Sequence, residues 1–229
     1  PIENSLAGRV ADIHYLIPKY KLQIHSEHFK KVTHNLLGIK GSKIKDIKTV
    51  RSHAQALGQA QKFISTNKLI SITAADTAGS AKFISENNDK SQGAIASELA
   101  AKIYDLEILK SSVEDESGNT TRFLILQKNP THPELSDKKY ITTCIFQLKS
   151  VPASLFKALG SFATNGVNLC KLESFSVKNT FDQVNFYIDI EGHIEEPALQ
   201  KALEELGFHT QKLDVLGVYE AHQFRFKNK

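Results

Sequence analysis

The sequence predicts an α/β protein in two parts, and three observations carry that reading. Short apolar runs alternate with helix-forming runs up to about residue 121, and a polar, proline-containing stretch follows over 128–139. From residue 140 the order of runs is strand, helix, strand, strand, helix, strand. The alternation is that of an α/β domain, and the second order is the ferredoxin-like βαββαβ split unit.

In the first part, strands are expected over 22–24, 32–39, 49–50, 70–72 and 93–95, and helices over 54–65, 78–86 and 97–104. Ser52 stands where it can cap the 54–65 helix, and Asp76-Thr77 precede the 78–86 helix as a cap pair. Gly118 and Asn119 are turn formers ahead of the apolar run 123–126. Thr120, Thr121 and Arg122 are therefore expected in the turn. On a regular strand Thr121 and Arg122 would point to opposite faces, whereas in a turn they can share one cleft. The 128–139 stretch, with Pro130 and His132-Pro133, has linker composition. In the second part, strands are expected over 140–148, 167–177, 182–191 and 210–219, and helices over 152–164 and 195–206. Pro152 suits the first turn of its helix, and Asn165-Gly166 is a stop signal after it.

With 229 residues, 41% of them hydrophobic and 24% charged, the chain suits two ordinary globular domains. No apolar run approaches the roughly 18 residues of a membrane span. The net charge of +4 is modest, and the lysines between Lys19 and Arg51 are spaced among apolar residues with only Tyr20 and Phe29 as aromatics. They read as a solvated face, which argues against a nucleic-acid or membrane partner. Cys144 and Cys170 lie in apolar segments without His or Cys at metal-ligand spacing, so reduced core thiols in a cytoplasmic protein are expected. The chain opens on Pro1-Ile2-Glu3-Asn4-Ser5 without an initiator Met, and a preceding segment of the same domain is expected.

Four motifs in the first part bear chemistry. Glu3-Asn4-Ser5 is a polar triplet where a strand should end. Ser52-His53-Ala54-Gln55-Ala56-Leu57-Gly58-Gln59 opens a helix with Gln55 and Gln59 four apart on one face. Ala74-Ala75-Asp76-Thr77-Ala78-Gly79 is a small-residue turn that lets a ligand approach the backbone. Thr121-Arg122 pairs a hydroxyl with the side chain best suited to gripping a carboxylate. Read singly, each also fits a bland role: Ser52 and Asp76-Thr77 as caps, His53 as an exposed histidine, Arg122 in a surface ion pair. Walker loop, dinucleotide fingerprint, metal cluster and nucleophile elbow are all absent from the sequence. Chemistry here would run on hydroxyls, amides and one arginine, with no cofactor and no metal.

Taken in order, these motifs, with Ala94-Ile95-Ala96-Ser97, Ala100-Ala101-Lys102-Ile103-Tyr104-Asp105-Leu106 and Asn119-Thr120-Thr121-Arg122-Phe123, strongly resemble prephenate dehydratase. The second part resembles the regulatory ACT domain attached to that enzyme, most tellingly at Leu172-Glu173-Ser174 and at 186–193. The resemblance implies a two-lobed catalytic domain like periplasmic binding proteins over 1–127, with lobe one at 1–24 and 107–127, lobe two at 25–106, and the active site in the cleft between them. A linker at 128–139 and an ACT domain at 140–229 complete it. It also implies a strand and a glycine-and-hydroxyl loop upstream of Pro1.

The implied reaction converts prephenate to phenylpyruvate on the path to phenylalanine. Thr121 would assist departure of the ring hydroxyl, Arg122 would anchor a carboxylate, and Phe123 completes that motif. Glu3, Asn4, Ser5, Ser52, Gln55, Gln59 and Thr77 would bind substrate. Phenylalanine would act as allosteric effector at Ala153, Ser154, Leu155, Phe156, Glu173, Ser174 and Phe175, in a homodimer or homotetramer. Family members often carry Gly-Ala-Leu-Val and Glu-Ser-Arg-Pro at those two loops, where this chain has Ala153-Ser154-Leu155-Phe156 and Glu173-Ser174-Phe175-Ser176. Arogenate as substrate, and a non-catalytic amino-acid-binding module, are the alternatives that the residues leave open.

Overall fold

The apolar runs become thirteen strands in three sheets, seen in a computed structural model that describes all residues except 11, 130, 177–182 and 227–229. The ends of two expected strands, Val177 and Asp182, and the linker's Pro130 lie outside the described residues. The chain forms two compact units: Pro1–Lys30 with Thr121–Lys229, and Lys31–Thr120.

The first unit begins with β1 (Glu3–Asn4), β2 (Gly8–Arg9), α1 (Ile13–Lys19) and β3 (Gln23–Lys31). The expected 22–24 strand is only the start of β3. α1 was not expected, because Pro18 falls in its last turn and reads as a breaker.

The second unit comprises β4 (Asn35–Gly38), β5 (Thr49–His53), α2 (Ala54–Gly58), α3 (Gln61–Thr66), β6 (Ile70–Ala74), α4 (Thr77–Asn87), β7 (Gln92–Ala96), α5 (Glu98–Ile103) and β8 (Glu107–Lys110). Its sheet runs β6-β5-β7-β4-β8, with β5 parallel to β6 and β7, and β4 antiparallel to β7 and β8. Both faces are covered, which is why β4 and β7 read as continuous apolar runs. Leu36, Val50 and Ile95 pack with Leu57 and Ile64, while Leu37, Ala94 and Ala96 pack with Ala81, Ile84 and Ala101.

The expected 54–65 helix is broken in two. Ala60 leaves the helical region at φ −123°, and α3 restarts under the carboxylate of Asp115, which accepts from the Lys62 N–H at 3.0 and 3.1 Å. A cap supplied 53 residues away has no local sequence signal. α4 starts as expected, on Asp76, which accepts from the Gly79 N–H. A Cβ at Gly79 would lie 2.8 Å from that carboxylate, so the close cap requires glycine.

The chain then returns to the first unit through β9 (Thr120–Gln127), β10 (Tyr140–Leu148), α6 (Ser154–Thr164), β11 (Leu169–Ser176), β12 (Val184–Glu191), α7 (Pro197–His209) and β13 (Thr210–Glu220). One sheet runs β2-β1-β9-β3 and the other β11-β12-β10-β13, the order of a split βαββαβ unit. α6 and α7 cover one face of the split sheet through Ala158, Phe162, Leu199 and Leu206. Its other face packs Ile141, Ile145, Tyr187 and Leu216 against Ile2, Ile17 and Ile24.

Two expected boundaries change. β8 pairs with β4, so 107–120 belongs with the second unit and not with the first lobe. The 128–139 stretch does not separate two bodies, because the opening segment and β9 share a core with the split sheet. Backbones approach closely at Gly217, where an added Cβ would sit 2.2 Å from the Ile24 carbonyl oxygen. Backbone cannot yield as a flexible side chain would. Gly217→Ala is therefore expected to destabilise the protein by about 2 kcal/mol or more, read as a lower urea midpoint with unchanged slope.

Candidate functional site

β1 pairs with β9 in the register Glu3↔Arg122 and Asn4↔Thr121. This pairing extends β9 back to Thr120, so Thr121 and Arg122 are strand residues on opposite faces, and the expected shared turn is not formed. Asn4 lies on the Thr121 side. Its amide oxygen accepts from the N–H groups of Leu6 (3.0 Å) and Ala7 (2.8 Å), closing the turn that holds exposed Ser5, and its amide nitrogen donates to Thr121 Oγ1 at 3.0 Å. A hydroxyl oxygen that accepts keeps its own hydrogen to give. Among the described residues that hydrogen has no protein acceptor, and Thr121 is half-buried. Phe123 follows on the same face, also half-buried.

Arg122 occupies the buried face at 2% exposure, with Leu124 and Leu126. Its Nε donates to Glu27 (2.7 Å), Nη1 to Glu3 (2.9 Å) and Asp189 (2.5 Å), and Nη2 to Tyr219 Oη (2.9 Å). Tyr219 in turn meets Thr143 Oγ1 at 2.8 Å, and Thr143 donates to Asp189 at 2.6 Å, so one consistent order of donors closes the circuit. Arg225 adds a second guanidinium on Glu27, at 2.6 and 2.8 Å. Burial works against the Arg122 charge, but Asp189 foremost, then Tyr219, Tyr187 and Glu27, raises its pKa above the ordinary arginine value. Burial likewise pushes the Glu27 carboxyl up, and the Arg225 hydrogen bond with the Arg122 charge brings it below the usual range. The fork expected to grip a substrate carboxylate is thus filled by three carboxylates of the protein.

In the second unit, the carboxyl ends of β5, β6 and β7 each lead into a helix, which gathers Ser52, Thr77 and Ser97 at one edge of a parallel run. Such edges are where open α/β sheets take ligands. Ser52 is fully buried and donates to the Ile95 carbonyl at 2.6 Å, and the α2 cap is His53, whose Nδ1 accepts from the Gln55 N–H. The expected Ser52 cap is corrected accordingly. Gln59 ends α2, and its Oε1 meets Asn119 Nδ2 (2.9 Å) and His34 Nε2 (2.8 Å). With its oxygen held twice, the Gln59 amide is oriented. Gln55 is exposed whereas Gln59 is half-buried at the end of α2, and Thr77 is half-buried at the first position of α4.

A family model for prephenate dehydratase matches residues 1–131. The chain belongs to the prephenate dehydratase family. It is 44% identical over 98% of its length to a bifunctional N-acyl-homoserine lactone acylase/prephenate dehydratase of Komagataeibacter europaeus, of which it covers 80%. It is 37% identical over 96% of its length to arogenate dehydratase 2 of Petunia hybrida, of which it spans 59%, less than two thirds. A solved prephenate dehydratase of Arthrobacter aurescens, in complex with L-Phe, superposes with a TM-score of 0.86 at 27% identity, covering 96% of this chain and 74% of that one. Among the described residues, no group of three or more His, Cys, Asp or Glu could hold a metal ion, and no helix is long and apolar enough to cross a membrane.

The residues expected to hold phenylalanine are divided by the split sheet of this chain. Ala153, with φ at 60°, leads into α6 beside a cavity of about 480 Å³ lined by Val151, Pro152, Ser154, Gln183, Phe186 and Gln211. Leu155 and Phe156 are exposed, Phe156 at 79%, and Ser174 is exposed on β11. Glu173 and Phe175 point to the other face. Glu173 accepts from Lys171 at 2.8 Å and lies 3.2 Å from His14, whose ring packs edge-on against Tyr187 and near Phe175. Cys144 is buried as expected, whereas Cys170 is exposed on β11 and not a core thiol.

His14, Glu27, Asp189 and Tyr219 were not among the expected site residues; His14, Glu27 and Tyr219 reach Glu173 or Arg122 across more than 90 residues of chain, and Asp189 reaches Arg122 across 67. His14 is fully buried, and burial, opposed by Glu173, pushes its pKa from 6.5 to about 4. The unfolded chain then binds a proton that the folded one refuses. Stability is whole above pH 6.5 and declines as pH falls from 6.5 towards 4, by up to about 3 kcal/mol. Glu3 and Glu27, with lowered pKa values, add their loss only at lower pH. Urea midpoints at pH 7 and 4.5 should therefore converge in His14→Phe.

Proposed function

We propose that this chain carries the dehydratase activity of its family: loss of carbon dioxide and the ring hydroxyl from prephenate to give phenylpyruvate. The observation that carries the reading is the Asn4–Thr121 pair, in which Asn4 donates and Thr121 keeps a hydrogen to give. Decarboxylation restores aromaticity, so the protein has mainly to hold the substrate and assist a poor leaving group. A threonine hydroxyl is a weak acid, and Thr121 acts as donor or proton relay to the departing hydroxyl. Gln59, oriented by His34 and Asn119, and Thr77 with the edge around Ser52 are the proposed substrate ligands of the second unit. Ser52 lends position, since its hydroxyl is committed to Ile95. No cofactor enters this scheme.

The unit from 140 onward is proposed to be an ACT domain that binds phenylalanine near the start of α6, within a cytoplasmic homo-oligomer. The neighbour solved with L-Phe supports the effector. Calorimetry with L-phenylalanine tests it, and an absence of heat at millimolar ligand would remove it. If binding occurs, prephenate and phenylalanine must alter each other's affinity reciprocally.

The intact protein, given prephenate, should release phenylpyruvate, seen by its absorbance in alkali. No product, with phenylalanine still bound, would favour a binding module instead. Arogenate assayed beside prephenate decides the substrate, because the Petunia relative is named for arogenate. A second reading rests on the Komagataeibacter relative: cleavage of N-acyl-homoserine lactones, tested by release of the free fatty acid.

A further inference from the structure

β1 is two residues long and leaves its neighbours few main-chain bonds: the Ile2 N–H donates to the Arg122 carbonyl at 2.9 Å, and the Val10 N–H to the Ile2 carbonyl at 3.1 Å. So short a strand holds its register weakly, and a slip by one residue would exchange its two faces. A slip one way would set Glu3 opposite Thr121, and a slip the other way would set Asn4 opposite Arg122. What opposes the slip is ionic. One Glu3 carboxylate oxygen accepts from Arg122 at 2.9 Å and the other from Lys171 at 2.5 Å. Lys171 also bonds Glu173, and Arg122 bonds Asp189, so charges alternate along Glu173, Lys171, Glu3, Arg122 and Asp189. Lys171 is 8% exposed at its side chain and Arg122 2%. A neutral Asn4 in place of Glu3 would leave both cations short of a partner, which burial makes costly.

We propose that Arg122 and Lys171 are positioning residues that grip Glu3 from β9 and β11, fixing β1 in the register that brings Asn4 to Thr121 and tying that register to the split sheet. The consequence for turnover rests on the dehydratase reading, whereas the geometry does not. Arg122 acts through Glu3 and Asn4 and touches no substrate.

The test uses the intact protein with Lys171→Met and Glu3→Gln, which leave Arg122 and its buried partners in place. Hydrogen exchange at Ile2 and Val10 should accelerate tenfold or more, with protection across β10 unchanged. For prephenate, kcat should fall fivefold or more with KM within twofold. On an Asn4→Ala background, Lys171→Met should add no further loss of kcat, since both act through one contact. Exchange at Ile2 and Val10 within twofold of wild type overturns the proposal, as does acceleration that is equal everywhere. A tenfold rise of KM in Arg122→Lys would return Arg122 to the substrate and also overturn it. If the wild type makes no phenylpyruvate, the dehydratase reading fails, and the exchange result still judges the clamp.

Discussion

Thr121→Ala is expected to lower kcat for prephenate by roughly two to four orders of magnitude while KM stays within about threefold. Thr121 gives its hydrogen to the leaving oxygen most strongly as the carbon–oxygen bond breaks, so its loss falls on the transition state and not on binding. Asn4 sharpens the expectation. Because Asn4 Nδ2 donates to Thr121 Oγ1, the hydroxyl rotor is turned away from Asn4 and towards whatever accepts beyond it. Thr121→Ser keeps the oxygen and should recover much of the rate. Asn4→Ala should fall between the two, since an unoriented hydroxyl still donates part of the time. Near wild-type kcat in Thr121→Ala would remove the residue from the chemistry.

The second large effect is on stability. Arg122→Met is expected to destabilise the fold by about 3–5 kcal/mol, the range for breaking a buried ion pair from one side. The Glu27 and Asp189 side chains are fully buried, and the substitution removes a guanidinium that serves both. Arg225 still reaches Glu27 by hydrogen bonds, but it stands 3.6 Å from Asp189 and is itself partly exposed, so it compensates incompletely. Adding Asp189→Asn should restore part of the loss, because a neutral amide at that place no longer needs a cation. Urea denaturation of the single and double variants measures both. A cost below about 1 kcal/mol for Arg122→Met would mean that water reaches the cluster.

The legible and illegible parts of this chain divide by range of contact. The four strands and two helices after residue 139 follow from local period and punctuation, with bounds that move by a few residues: β10 falls on 140–148 as expected, and α7 runs to His209 instead of 206. The motifs single out Asn4 and Thr121 separately, and only the structure sets one against the other, while Arg122, expected in the same turn as Thr121, faces the opposite way. The turn signal at Gly118-Asn119 is real, yet the partner that starts β9 at Thr120 is β1, more than 110 residues away. Two of the three carboxylates that fill the Arg122 fork, Glu27 and Asp189, likewise sit in strands whose local pattern gives no hint of a buried ion. Ser52 against His53 is a subtler case. Ser52 is the better cap by type, and His53 takes the place because the depth of β5 draws Ser52 inside to bond Ile95.

The close packing of Gly217 on the Ile24 carbonyl has a consequence for modularity. Cutting the chain in the proline-bearing stretch would not release a self-sufficient front portion. It would strip Ile2, Ile17 and Ile24 of their cover and leave Arg122 without Asp189 and Tyr219. A graft of the same front portion onto a foreign βαββαβ unit would need a glycine opposite Ile24 and an aspartate opposite Arg122. Swapping the rear unit among relatives is therefore constrained at two positions that lie nowhere near the junction.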